Sequence, residues 1–148
     1  MQWKNVDDDS PVNSVEDMPQ GTFGFIYCLI YEDGSRYIGK KNLYSEKTLP
    51  ALKSGELRPN SSRVGRNKGG KRIYFDVVRK ESNWKKYRGS SKDTQDLQLR
   101  EKYLLCYAGS KRELTYLEVK MLFVYEVLED DTYLNKNIIN RWFKGNIV

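Results

Sequence analysis

The stretch GFIYCLIY, from Gly24 to Tyr31, sets the tightest limit on how this chain folds. Phe25, Tyr27, Leu29 and Tyr31 alternate with Ile26, Cys28 and Ile30, so an extended segment is apolar on both sides. Such a strand is stable only when both faces are covered, which puts it inside a layered domain. EDGS and then RYIGKK follow it. Asp-Gly between two strand-like runs signals a hairpin, because glycine takes the left-handed backbone that the turn needs. The loop length decides where two tyrosines point. A two-residue turn at Asp33 and Gly34 sends Tyr27 and Tyr37 to opposite faces. A three-residue loop of Glu32, Asp33 and Gly34 pairs Tyr31 with Ser35 and Leu29 with Tyr37, and brings both tyrosines to one face. The three-residue form is the expected one.

Residues 1–20 lean acidic, with Asp7, Asp8, Asp9, Glu16 and Asp17, and show little periodicity. They are expected to form an acidic N-terminal arm without a strand, leaving residues 21–148 as one domain; a chain of 148 residues supports one modest core. Residues 44–72 hold few apolar positions and many cations, among them Lys53, Arg58, Arg63, Arg66, Lys68, Lys71 and Arg72, and read as an inserted basic loop. No second domain is visible in the composition. RIYFDVV predicts a short strand, ESNWKKYRGSSK an aromatic and basic turn, and DLQLREKYLLCYA a strand, from its alternating Leu97, Leu99, Tyr103 and Leu105. The clearest helix starts at Ser110, which has capping-box spacing to Glu113, and should end near Glu129. Leu114, Leu117, Met121, Val124 and Leu128 form its apolar stripe, with Glu118 beside it between Leu114 and Leu122.

Chemistry is bounded by an absence. The chain has no histidine, which excludes Ser-His-Asp and Cys-His hydrolases, histidine-dependent metallonucleases and zinc fingers of the Cys and His type. Any catalysis draws on Tyr, Lys, Arg, Glu and Asp. Lys and Arg outnumber Asp and Glu by 26 to 20, a net charge of +6 that suits a polyanionic partner. Cys28 and Cys106 lie in apolar strand-like runs, as reduced, buried thiols do. No segment approaches the roughly 20 apolar residues that span a bilayer, so no membrane association is expected and the cytoplasm is the expected compartment.

GFIY at Gly24 to Tyr27, followed at hairpin spacing by YIG at Tyr37 to Gly39 and then Lys40, resembles the paired signature of the GIY-YIG nuclease superfamily. WKKYRGSSK, ELTYLEVK and YLNKNI are similar to segments of its phage-encoded SegE-type members, and the resemblance runs from about Gly24 to Phe143. It implies an α+β fold, a small three-stranded antiparallel sheet flanked by helices, here with the long basic insertion after the first hairpin. It also implies a metal-dependent endonuclease that hydrolyses DNA phosphodiesters, working in the host cytoplasm where the gene is phage-borne.

Carried over by position, Tyr27 and Tyr37 match the signature tyrosines, Lys40 the basic residue after YIG, Glu118 the metal ligand, and Asn135 the asparagine that completes the set. The family's arginine has no clear counterpart; Arg88 is the first candidate and Arg100 the second. A single carboxylate such as Glu118 can hold Mg²⁺ or Mn²⁺, while lysine and arginine neutralise charge that grows on the phosphate. The proton must then pass to a tyrosine or to metal-bound hydroxide, and a phenolate at Tyr27 needs nearby cations, because free tyrosine has a pKa of about 10. Arg63, Arg66, Lys68 and Arg72 of the insertion, with Lys86 and Lys92, are expected on nucleic-acid phosphates, and Trp84 or Tyr87 on a base. The alternative is a nucleic-acid-binding module of the same fold without turnover. Oligomeric state stays open, a monomer being sufficient.

Overall fold

The computed structural model describes residues 1–53 and 63–147 and is mostly extended, with 39% in strands and 12% in helix. In chain order the elements are β1 (Trp3–Asn5), β2 (Pro11–Val12), β3 (Gly24–Tyr31), β4 (Arg36–Asn42), β5 (Tyr44–Thr48), β6 (Arg63–Arg66), β7 (Arg72–Phe75), β8 (Val77–Glu81), β9 (Leu99–Ala108), α1 (Lys111–Val124), β10 (Asn137–Ile138) and β11 (Trp142–Phe143). They form two compact units, one from Met1–Leu43 with Asn83–Val148 and the other from Tyr44–Ser82. Among the described residues, no helix is long and apolar enough to cross a membrane.

In the first unit the strand that is apolar on both sides takes the place its pattern demands. β3 lies between β9 and β4, antiparallel to each, and seven of its eight residues are buried. Its hairpin with β4 has the three-residue loop: Leu29 faces Tyr37, Tyr27 faces Gly39, the Tyr31 amide donates to the Ser35 carbonyl at 2.9 Å, and Gly34 has φ +86°. Tyr27 and Tyr37 therefore share a face.

The expected small three-stranded sheet flanked by helices does not form. The sheet has five strands in the order β2-β1-β9-β3-β4, mixed because β1 joins β9 in parallel, and α1 is the one α-helix among the described residues. One cause lies in residues 1–20, whose acidic composition hid three core side chains, Trp3, Val12 and Met18, at 1%, 2% and 6% exposure. Burying an indole outweighs the cost of ordering a short strand. Asp8 and Asp17 then serve as turn acceptors, Asp8 from the Ser10 amide and Asp17 from those of Asn13 and Ser14. The expected arm thus supplies two strands.

The second cause is that a non-helical segment, residues 83–98, covers the face carrying Tyr27. Its carbonyls find partners on side chains: the Trp3 indole donates to Trp84 O at 2.7 Å, and the buried Lys102 ammonium donates to Lys85 O and Tyr87 O at 3.1 and 2.9 Å. Those bonds replace what a helix would satisfy internally. Lys102 also sits 4.2 Å from the centre of the Trp3 ring, a cation–π contact.

α1 covers the opposite face. Ser110 caps it, accepting from the Glu113 amide at 3.1 Å, and Leu114 and Leu122 pack with Ile26, Cys28 and Ile38. The helix stops at Val124 rather than near Glu129. Glu126 adopts φ +51°, and the reversal buries Val127 and Leu128 while Val124 stays 60% exposed.

The second unit holds the stretch expected as an inserted loop. β5 pairs with β8 and β6 with β7, both antiparallel. Arg58 lies outside the described residues.

Candidate active site

β4 is the edge of the five-stranded sheet, so alternate residues turn their backbone groups outward and need partners. The segment after Asp131 supplies them. The Arg36 amide donates to Thr132 O at 2.8 Å, and the Leu134 amide donates to Arg36 O at 2.7 Å. At Ile38 a side chain takes over: Asn135 Oδ1 accepts from the Ile38 amide at 3.0 Å, and Asn135 Nδ2 donates to the Ile38 carbonyl at 2.8 Å. A primary amide carries one acceptor and two donors, so it can replace the peptide unit of a neighbouring strand. Asn135 is 6% exposed and fixes β4 between Tyr37 and Lys40.

The glycines of the two signature tripeptides have steric reasons. A Cβ at Gly39 would lie 2.5 Å from the Tyr27 hydroxyl, and one at Gly24 would lie 2.6 Å from the Lys41 carbonyl and 2.8 Å from Leu114 Cδ2. Gly39 makes room for the Tyr27 phenol, and Gly24 lets α1 approach the sheet. Gly39→Ala is expected to push the phenol aside and cost about 1–3 kcal/mol, the usual range for overpacking. A chemical melt of the variant checks this.

Glu118 follows Leu114 and precedes Leu122 by one helical step of four, so it faces the sheet between two buried leucines. Its carboxylate lies 3.6 Å from the Lys40 ammonium, which also donates to Thr115 Oγ1 at 3.2 Å. Burial pushes the Glu118 carboxyl up, and Lys40 offsets part of that. Glu118 opens into a cleft of about 360 Å³ whose lining includes Tyr37, Ile38, Asn135, Asp93 and Lys136. Burial raises the Tyr37 phenol above its ordinary range, and the Glu118 carboxylate raises it further.

Tyr37, Lys40, Glu118 and Asn135 are thus brought together. Tyr27 shares a sheet face with Tyr37 but is 2% exposed, packed edge-on to Tyr87 with ring centroids 5.8 Å apart. Burial pushes its phenol far above its ordinary value, and Tyr87 adds to the shift, the opposite of what a phenolate base needs. Arg88 donates to Leu97 O at 2.6 Å and lines a different cavity, with Lys85, Lys86 and Lys102, while Arg100 is exposed on β9; neither lines the cleft. Trp84 is fully buried and offers no face to a base. Tyr87 is half-buried under the Lys41 ammonium at 4.1 Å, and Lys86 and Lys92 are exposed. In the second unit Arg66, Lys68 and Arg72 are exposed, whereas Arg63 makes a two-pronged pair with Glu46 at 3.1 and 3.2 Å.

Two cleft residues escaped the sequence reading. Lys136 and Asp93 pair at 3.0 Å. Lys136 adjoins Asn135 and could have been suspected from YLNKNI; Asp93 carries no local signal. Among the described residues, no group of three or more Cys, Asp or Glu is placed to hold a metal together.

The chain matches the family model described as "Putative endonuclease segE, GIY-YIG domain" over residues 7–138. That span begins inside the segment read as an arm and so includes β2. No curated protein and no solved structure matches the chain. A match over most of the 148 residues, together with the hairpin that carries both signature tripeptides, shows that the chain belongs to the SegE family of GIY-YIG endonuclease domains.

Proposed function

We propose that the chain is a metal-dependent endonuclease that hydrolyses DNA phosphodiesters at the edge of β4. The observation that carries this reading is that Tyr37 and Glu118 line one cleft whose wall is fixed by Asn135, with Lys40 paired to Glu118 at 3.6 Å. The donor set fits a hard cation. Glu118 is a half-buried carboxylate that reaches open space, Asp93, the other carboxylate of the lining, is paired with Lys136, and Mg²⁺ characteristically keeps most of its waters and takes only one or two carboxylates. When bound there, such a cation supplies counter-charge to the phosphate and acidifies water.

The chain's own groups have separate tasks. Lys40, on the exposed side of Glu118, neutralises a phosphate oxygen as charge grows on it. Tyr37, held neutral by burial and by the carboxylate beside it, orients water or a phosphate oxygen through its hydroxyl and does not take the proton as a phenolate. Asn135 touches backbone and acts as a positioning residue. Tyr27, closed off under Tyr87 and Trp3, positions the strand that carries the site.

A second reading, a nucleic-acid-binding module without turnover, is favoured by one feature: among the described residues, no arginine lines the cleft. Incubating supercoiled plasmid with the purified chain in Mg²⁺, in Mn²⁺ and in chelator separates the two. The expected result is open-circular or linear product in metal alone. Intact plasmid under all three conditions, with DNA still retarded in a gel, supports the binding module.

A further inference from the structure

The hairpin of β6 and β7 sorts its charges by side. Directly opposed residues share a face of a ribbon, and neighbours alternate. Arg63 with Phe75 and Gly65 with Ile73 lie on one face, where the Phe75 ring covers Gly65 and Arg63 is committed to Glu46. Val64 with Tyr74 and Arg66 with Arg72 lie on the other. There two guanidiniums oppose each other across the strands, an arrangement that costs stability. Among the described residues, no carboxylate pairs with Arg66 or Arg72. Beside them Val64, an aliphatic side chain, is 50% exposed.

The tip is built to hold its shape. Asn67 Oδ1 accepts from the amides of Gly69 and Lys71 at 3.0 Å each, Gly70 takes φ +77°, and Arg66 Nη1 donates to Gly70 O at 2.8 Å. Lys68 and Lys71 project from this tip and are exposed. A rigid two-stranded ribbon with an unneutralised pair of guanidiniums and an exposed apolar group has the chemistry of a groove reader. The major groove of B-DNA is about 12 Å wide and admits a two-stranded ribbon, in which arginine takes guanine bidentately and apolar groups meet the thymine methyl. Duplex RNA keeps its major groove too deep and narrow for this, and single strands call for stacking platforms, whereas Tyr74 is the one ring on this face and is half-buried.

We propose that the β6–β7 ribbon enters the major groove of duplex DNA and reads base edges through Arg66 and Arg72, giving the chain a sequence preference. The inference rests on DNA as the substrate of the cleft, and makes Tyr44–Ser82 the specificity unit that composition alone did not reveal.

The test is selection of bound duplexes from a randomised pool by the full chain in chelator, so that no cutting is required. Wild type is compared with the double variant Arg66→Lys and Arg72→Lys, which keeps both charges but loses the guanidinium forks. Wild type is expected to enrich a short motif, and the double variant to lose roughly tenfold or more of the discrimination at two base pairs while keeping the same salt dependence. Thermal melts show that both proteins are folded, with a small fall expected in the double variant because the Arg66 bond to the Gly70 carbonyl goes with the guanidinium. No motif from wild type, or an undiminished motif from the double variant, overturns the proposal. A motif lost in the double variant, with plasmid left intact in Mg²⁺, sinks the nuclease reading and keeps this one. Cut plasmid with an undiminished motif does the reverse.

Discussion

Glu118→Ala is expected to slow cleavage of a labelled duplex by roughly a thousandfold or more in Mg²⁺, since several kcal/mol of charge stabilisation would leave with the metal and each ~1.4 kcal/mol is a factor of ten. Binding should not fall with it. Affinity for a polyanion comes from Lys and Arg, and taking a carboxylate out of a cleft that faces phosphates removes repulsion. Folding should hold as well. Glu118 is a half-buried carboxylate whose charged form burial already disfavours, alanine is the best helix former, and Lys40 remains exposed to water when its partner goes. Single-turnover cleavage, DNA anisotropy and a thermal melt on one preparation check the three limbs. Comparable cutting by the variant would remove Glu118 from the chemistry.

Asn135→Ala should act on stability first. It leaves the amide and carbonyl of Ile38 buried without partners, at about 1–3 kcal/mol for each group, so a loss of about 2–6 kcal/mol is expected. For a chain of this size that is a fall in Tm of roughly 5–15 °C. Asn135→Asp keeps the acceptor for the Ile38 amide, loses the donor to its carbonyl and buries a charge, so it should rescue nothing. Cleavage by Asn135→Ala should drop because Tyr37 adjoins the loosened Ile38 and Lys40 lies two residues beyond it. A variant that melts within about a degree of wild type, near the half-kcal/mol typical of inert surface substitutions, and still loses cleavage would mean that Asn135 touches substrate instead of strand.

The parts of the structure legible in advance are those fixed by short-range pattern. GFIYCLIY declares a strand covered on both faces, EDG declares the loop that brings Tyr27 and Tyr37 to one face, and the spacing of Glu118 from Leu114 and Leu122 turns its carboxylate toward the sheet. What was hidden depends on partners distant in sequence. Trp3 looks like one aromatic in an acidic arm until its indole meets the Trp84 carbonyl, 81 residues away. Asn135 looks like a turn residue until its amide meets Ile38, 97 residues away. The exposed guanidinium of Arg88 gives no local sign that it belongs to another cavity, and nothing in the composition of residues 44–72 separates a mobile loop from two ribbons, because a ribbon exposed on its faces needs few apolar residues. Trp84 misled in the other direction: a tryptophan among lysines suggests base stacking, yet its ring fills the core.

Mn²⁺ titrated into ¹⁵N-labelled, DNA-free protein reports whether Glu118 holds a metal, because the paramagnetic ion broadens amide signals near wherever it binds, even weakly. The amides of Tyr37, Ile38, Glu118 and Asn135 are expected to broaden first, and Glu118→Gln is expected to abolish this while its spectrum otherwise overlays that of wild type. Broadening centred away from this cleft, or unchanged in Glu118→Gln, would contradict a metal held by Glu118.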